Sequence, residues 1–237
     1  MSFIHAIKRR IFKTMFPNAQ YSYAQNGEDL ILAHYFFKHG IDKPTYLDVG
    51  ANHPRFISNT YHAYLKGGRG VCIEPNPKLA EKYRRVRPGD TVLQIGVGID
   101  ARKEADFYIF PDAAHGLSTF SKEEAEYWAR VGMKGVGKIQ YEKVVRVPLI
   151  TMNEIFETHF KSAPHILSID VEGLDLELLQ TIDFSRFKPL TIIVETLLYD
   201  EHQRETRNEK IIDFLTSKGY FVYADTHVNT IFLRNEV

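Results

Sequence analysis

Residues Thr45 to Pro54 read Thr-Tyr-Leu-Asp-Val-Gly-Ala-Asn-His-Pro, and this stretch decides the fold. A short apolar run that carries an acid and stops at a glycine turn is the signature of a buried strand delivering its carboxyl end to a ligand. Working outward, similar apolar runs bounded by turn residues occur at Gly70 to Ile73, Thr91 to Val97, His165 to Ile169 and Leu190 to Val194. Helical patterns lie between them at Ser58 to Leu65, Lys78 to Arg87, Ile150 to Phe160 and Leu174 to Ile182. Strand and helix alternating in this way predict an α/β fold with a doubly wound, mostly parallel sheet. Upstream, Gln25 to His39 reads as a helix with Asn26 or Asp29 as its cap. Downstream of a last helix, Glu209 to Lys218, the pair Tyr220 to Ala224 and Thr230 to Arg234 reads as two closing strands, the final one antiparallel. The segment of about residues 100–147 breaks the rhythm and is expected to be an insertion that covers the ligand crevice as a lid.

Composition narrows the class. With 237 residues, 44% hydrophobic and 25% charged, the chain is ordinary globular protein and is expected to form one main domain over 23–237, preceded by a helix within 1–22. Thirty basic residues balance thirty acidic ones, so no global field draws the chain to nucleic acid. The single cysteine, Cys72, has no partner for an internal disulfide, which suits a reducing compartment, and the cytoplasm is the expected location. Neither a long apolar span nor a signal-peptide pattern is read in the sequence.

The turn after the first strand limits the ligand. A dinucleotide cradle wants G-x-G-x-x-G, but counting from Gly50 the second glycine is Asn52 and the third position is Arg55. A tight pyrophosphate site is therefore disfavoured, whereas a nucleoside ligand without phosphate tolerates the looser turn. Glu74 closes the second strand 26 positions after Asp48, where such folds place the acid that accepts hydrogen bonds from a ribose. At the end of the fourth strand, Asp170 and Glu172 stand two apart, a spacing that puts both on one face if the strand extends so far. They read as a general base, as cation ligands together with Glu195 at the end of the fifth strand, or simply as a cap for the following helix. His53 reads as a base or as a loop histidine that bonds backbone. On the expected lid, His115, Ser118 and Thr119 are candidate acceptor contacts.

Six short motifs, in order, resemble one family. They are Gln25-Asn26-Gly27-Glu28-Asp29-Leu30; Asp48 to Pro54 followed by Ser58-Asn59-Thr60; Glu74-Pro75-Asn76; Leu117-Ser118-Thr119; Leu167 to Gly173; and Asn229-Thr230-Ile231-Phe232. From about Tyr23 to Arg234 the chain resembles the FkbM-type methyltransferases, which implies a Rossmann-like class I methyltransferase fold and S-adenosylmethionine as methyl donor. The reaction implied is transfer to a hydroxyl, often of a sugar, glycan precursor or other secondary metabolite. On this resemblance Gln25, Asp48, Gly50, Asn52, Glu74, Gly96 and Asp170 are assigned to the cofactor, with Asn59 added to the acceptor side. A divalent cation is an option the spacing does not favour, because it matches no dedicated metal motif.

Two other functions share the fold: a nicotinamide-dependent oxidoreductase, against which the missing glycines count, and a non-catalytic nucleotide-binding module, against which Asp170, Glu172 and His53 count. The first segment remains. Phe3, Ile4, Ile7, Ile11, Phe12 and Met15 recur at helical spacing among Lys8, Arg9, Arg10 and Lys13, and the pattern ends near Pro17. This stripe is expected to pack on the domain; contact of residues 1–16 with an anionic membrane surface is the alternative.

Overall fold

The computed structural model describes residues 14–15, 18–132, 137–171, 173–199 and 205–235. Glu172 and nearly all of the amphipathic segment read over residues 1–16 lie outside the described residues.

Five strands form the parallel heart of a seven-stranded sheet: β1 (Tyr46–Val49), β2 (Gly70–Ile73), β3 (Thr91–Leu93), β7 (Ile166–Ile169) and β8 (Thr191–Glu195). With β11 (Tyr220–Asp225) and β12 (Asn229–Arg234) added, the strand order is β11-β12-β8-β7-β1-β2-β3, and β9 (Leu197–Tyr199) pairs antiparallel with β10 (Glu205–Arg207) apart from it. β12 runs antiparallel to both β8 and β11, so it is the one reversed strand of this sheet. Every residue of β1 and β7 is buried, which explains why these strands read as continuous apolar runs rather than alternating ones. The sheet order reverses direction between β1 and β7, and their carboxyl ends open there onto a crevice.

The helices supply both covers. α1 (Glu28–Lys38) and α2 (Tyr61–Leu65) lie against one face, where Leu32, Phe36 and Ala63 join Tyr46, Cys72, Ile193 and Ile231 in one core. On the other face, α5 (Met152–His159), α6 (Asp175–Gln180) and α7 (Glu209–Ser217) bury Ile155, Phe156, Leu178, Ile211 and Leu215 with Leu47, Leu167 and Ile192. α3 (Pro77–Val86) follows β2, and Asn76 caps it by accepting from the Lys78 N–H at 3.0 Å.

Four expectations are corrected. The run Thr91 to Val97 is two strands: β3 ends at Leu93, and β4 (Gly96–Val97) pairs instead with β6 (Lys143–Ile150) in a separate three-stranded sheet with β5 (Glu104–Ile109). β6 itself occupies the end of the expected insertion and runs past it to Ile150; the following helix starts at Met152, because Thr151 and Glu154 form a capping box there. Neither Asn26 nor Asp29 caps α1. Gly27 does, at φ 93, while the Asp29 carboxylate accepts from the Ser22 hydroxyl at 2.6 Å and the Tyr23 N–H at 2.8 Å. Nor does Asp170 cap the helix after β7: Asp175 accepts from the N–H groups of Val171 and Gly173 at 3.2 and 3.3 Å.

A buried ion pair ties these elements together. Arg87, 0% exposed, donates through Nε to Asp90 at 2.7 Å, and its guanidinium carbon lies 5.2 to 5.9 Å from the rings of Tyr46, Tyr61, Tyr64 and Tyr83. Its Nη2 donates to the Thr60 hydroxyl at 3.0 Å, and Thr60 donates in turn to Asp48 at 2.5 Å. Asp90 also accepts from the Tyr46 hydroxyl and the Gly70 N–H, at 2.6 and 3.1 Å. The arginine thereby joins the end of α3, the start and end of β1, and the start of β2. Removing one partner of such a pair leaves a buried charge uncompensated. Arg87→Met is expected to lower unfolding free energy by about 3–5 kcal/mol. The control Arg102→Met, which breaks only the exposed pair with Asp100, should cost less than about 1 kcal/mol, both measured by urea unfolding.

Candidate active site

Three backbone segments meet at the crevice. Ala51 N–H donates to the Ile73 carbonyl, Asp170 N–H to the Val49 carbonyl and Glu74 N–H to the Leu93 carbonyl, so the ladder continues two residues past β1 and one past β7 and β2 and holds the loops in register. Gly50 sits at φ 76, and a Cβ there would collide with the Asp170 carbonyl oxygen. The glycine is thus demanded by the close crossing of the β1 and β7 ends, a packing reason that the motif alone did not reveal. Asn52 follows in the left-handed region at φ 51. Tyr83 on α3 braces the turn from below, its hydroxyl donating to the Ala51 carbonyl at 2.7 Å.

Glu74 is 4% exposed and folds back on this turn: Oε2 accepts from the Asn52 N–H and Oε1 from the Asn76 N–H, both at 2.7 Å. An ionised carboxylate has about four acceptor positions, so two remain for ligand hydroxyls. Burial raises the Glu74 carboxyl to about 8, against the two N–H donors that lower it.

The crevice consists of two adjoining cavities. One, of about 60 Å³, lies between Ile73, Glu74, Pro75, Leu79, Gly96, Val97, Phe107 and Phe120, with Ser118 and Thr119 on its lid side. The other, of about 360 Å³, is lined by Asp48, Phe56, Ile57, Asn59, Ser168 and the 3₁₀ turn Asp112–Leu117. Gly50, Asn52, His115, Gly116 and Asp170 line both. The 3₁₀ turn therefore lies across the middle of the crevice, and it belongs to an insertion with its own small core of Tyr108, Phe110, Ala114, Ala125 and Ile139. At that junction Asn52 Oδ1 and His115 Nδ1 are buried without a hydrogen-bond partner among the described residues. Such orphaned atoms are costly unless a ligand or water meets them.

Carboxylates crowd the β7 and β8 ends. Although Asp170 is exposed at the crevice, desolvation by the protein packed around it raises its carboxyl to about 7, with Asp175 and Asp48 adding to the effect. Burial also raises Glu195, and Asp170 is the next cause. Asp170 opens into the crevice, whereas Glu195 is half-buried and lines neither cavity. Among the described residues no group of three or more His, Cys, Asp or Glu side chains is arranged to hold a metal ion.

Other candidates fall elsewhere. Gln25 is exposed and lines neither cavity. His53 lines neither; its Nδ1 accepts from the N–H groups of Arg55 and Phe56 at 3.1 and 3.0 Å, and burial lowers its pKa to about 4. Those two bonds hold the turn, and the lowered pKa favours the neutral ring. Ser118 accepts from the Phe110 N–H at 3.1 Å and Thr119 from the Ser121 N–H at 3.0 Å, so both shape the lid. Phe56, Ile57 and Arg87 carry parts of the site that the motifs did not single out. A larger cavity of about 750 Å³ lies away from the strand ends beneath α1 and α2, and Asn59 is the one candidate residue lining it.

The family described as the methyltransferase FkbM domain matches residues 48–222, from the end of β1 into β11. The chain belongs to the FkbM methyltransferase family. A search of curated proteins returns no match. Among solved structures, the chain is similar to a TehB-like methyltransferase from Corynebacterium glutamicum (8% identity, TM-score 0.42, 98% of this chain and 96% of that one). It is also similar to magnesium protoporphyrin IX methyltransferase from Synechocystis (9% identity, TM-score 0.42, 98% and 92%) and TehB from Haemophilus influenzae (7% identity, TM-score 0.46, 96% and 67%). This FkbM-family methyltransferase uses S-adenosylmethionine, and the crevice offers acceptors that suit its donors: the hydroxyl and amino groups of adenosine are matched by the free acceptor positions of Glu74 and by Asn52 Oδ1.

Hydroxyls donating to Glu74 favour its ionised form, so ligand binding should pull its raised pKa down and release a proton. Titration calorimetry of S-adenosylhomocysteine at pH 7, repeated in buffers of different ionisation enthalpy, is expected to show net proton release. Glu74→Gln should abolish that release and weaken binding about tenfold or more.

Proposed function

We propose that the enzyme methylates a hydroxyl oxygen of a sugar or glycan-precursor acceptor, which enters the 360 Å³ cavity while the cofactor's adenosine occupies the Glu74 side. The observation that carries this reading is the position of Asp170, the one carboxylate among the described residues that lines both cavities. The cofactor supplies an electrophilic methyl group on a sulfonium, a good leaving group. The chain must then align an acceptor oxygen in line with that carbon and remove its proton. An aliphatic hydroxyl is a weak nucleophile, and ionised Asp170 accepts its proton as the carbon–oxygen bond forms and the carbon–sulfur bond breaks. A base whose pKa stands near the working pH is better suited to this than an ordinary surface aspartate. Ser168, whose hydroxyl accepts from the Asn59 amide at 3.2 Å, and Asn59 itself offer polar contacts for the neighbouring acceptor hydroxyls.

Incubation with methyl-labelled S-adenosylmethionine and a panel of monosaccharides, methyl glycosides and nucleotide sugars tests the reaction. A methyl ether on one of these supports the reading, and label found only on amines, carbons or carboxylates contradicts it. Asp170→Asn is expected to reduce kcat by about 10²–10⁴-fold. Because the folded pKa is raised, wild-type turnover should fall as pH drops below about 7, where Asp170 takes up a proton, and this acid limb should vanish in the variant.

We further propose, as the alternative to packing of this stripe on the domain, that residues 1–16 give reversible contact with anionic lipid, which would bring the enzyme to membrane-linked acceptors. Among the described residues, no helix is long and apolar enough to cross a membrane. Sedimentation with anionic vesicles should be salt-sensitive and lost on deleting residues 1–16; indifference to the deletion would contradict this.

A further inference from the structure

We propose that Phe56 and Ile57 are the acceptor-docking platform: the C–H face of a pyranose ring lies on Phe56 at the mouth of the cavity while one of its hydroxyls reaches Asp170 at the base. The proposal rests on the sugar O-methylation reading and names the residues that select the acceptor. Phe56 and Ile57 are 68% and 51% exposed, adjacent in sequence, and both line the 360 Å³ cavity. Single exposed apolar residues are ordinary. What separates this pair is how they are held out of the core.

Ile57 has φ 52, the left-handed region that a β-branched side chain rarely adopts. Such a conformation persists only where surrounding bonds over-determine it, and they do so here. His53 Nδ1 accepts from the Phe56 N–H at 3.0 Å, and the His53 ring meets Phe56 edge-on at 6.3 Å. On the other side of Ile57, Ser58 N–H donates to the Tyr23 carbonyl at 2.8 Å, and the Ser58 hydroxyl accepts from buried Arg87 at 3.4 Å. The loop is pinned at both ends around two side chains facing outward. A platform fixed before binding loses little conformational entropy when a ligand arrives.

The cavity wall fixes the chemical class. Ala113, Ala114 and Leu117 of the 3₁₀ turn extend the apolar lining begun by Phe56 and Ile57, while Asp48, Asn59, Ser168 and Asp170 supply polar lining. An acceptor with only apolar or aromatic faces would leave His115 Nδ1, which has no hydrogen-bond partner among the described residues, unmet. An acceptor bearing phosphate at the base would meet the carboxylates Asp48 and Asp170. A ring with one C–H face and an edge of hydroxyls matches both ends, and aromatic rings accept such faces through C–H contact.

The test is saturation-transfer NMR on the full chain loaded with S-adenosylhomocysteine, using methyl glucopyranoside, galactopyranoside and mannopyranoside as probes. At least one should receive saturation mainly on the ring C–H groups of one face. Phe56→Ala should weaken its binding about tenfold or more, and Phe56→Trp should restore it. Because Phe56 is exposed, S-adenosylhomocysteine affinity and melting temperature should not change in either variant. If a pyranoside binds Phe56→Ala as tightly as wild type, the platform is wrong and the sugar reading stands. If no pyranoside binds wild type, the sugar reading falls and the platform with it.

Discussion

The Arg87–Asp90 pair is the constraint on which the rest of the site depends. Four tyrosine rings, two carboxylates and two hydroxyls are arranged about one guanidinium with no solvent access. A buried pair of this kind is weak evidence for stability in itself, because desolvation offsets most of the attraction. Its value here is positional. Through Thr60 it compensates Asp48 at the end of β1, and through Ser58 it anchors the loop that presents Phe56 and Ile57. Burial raises the Asp48 carboxyl, while Arg87 and the Thr60 hydroxyl act in the opposite direction.

The crevice inherits this geometry. Gly50 lets the β1 and β7 ends cross closely enough for Asp170 to face both cavities, and Glu74 ties the β1 turn to the start of α3 by accepting from Asn52 and Asn76. The two sides of the crevice are therefore set by backbone positions, with side chains of the inserted segment lining both. The adenosine side, at about 60 Å³, is far below the roughly 300–1,000 Å³ of ordinary ligand sites. The turn carrying His115 and Gly116 is the piece whose outward displacement would join the two cavities.

Much of the fold was legible because parallel strands buried on both faces must be apolar throughout, as Tyr46–Val49 and Ile166–Ile169 are. β6 was missed for the opposite reason. Lys143 at its start, Arg146 in its middle and Pro148 near its end, all exposed, break up its apolar residues, so Lys143–Ile150 resembled the loop before it. Asp48, Glu74 and Asp170 stood out because an acid in or just after a buried apolar strand is costly unless a ligand or a donor group meets it. Arg87 did not, since it looks like the third member of a basic run with Arg84 and Arg85. The signal was present: it falls four residues after Tyr83, on the stripe that also holds Leu79 and Ala80. His53 illustrates the limit. Its sequence position beside the turn suggested chemistry, and only coordinates show its Nδ1 committed to two backbone N–H groups.

If Glu74 holds the ribose, bound adenosine presents the reacting carbon to Asp170. A crystal structure with S-adenosylhomocysteine tests it most directly. Both ribose hydroxyls should lie within about 2.5–3.0 Å of the Glu74 carboxylate, with the sulfur facing the cavity shared by Asp170 and Phe56. Ribose bound away from Glu74, or a sulfur turned away from Asp170, would contradict it.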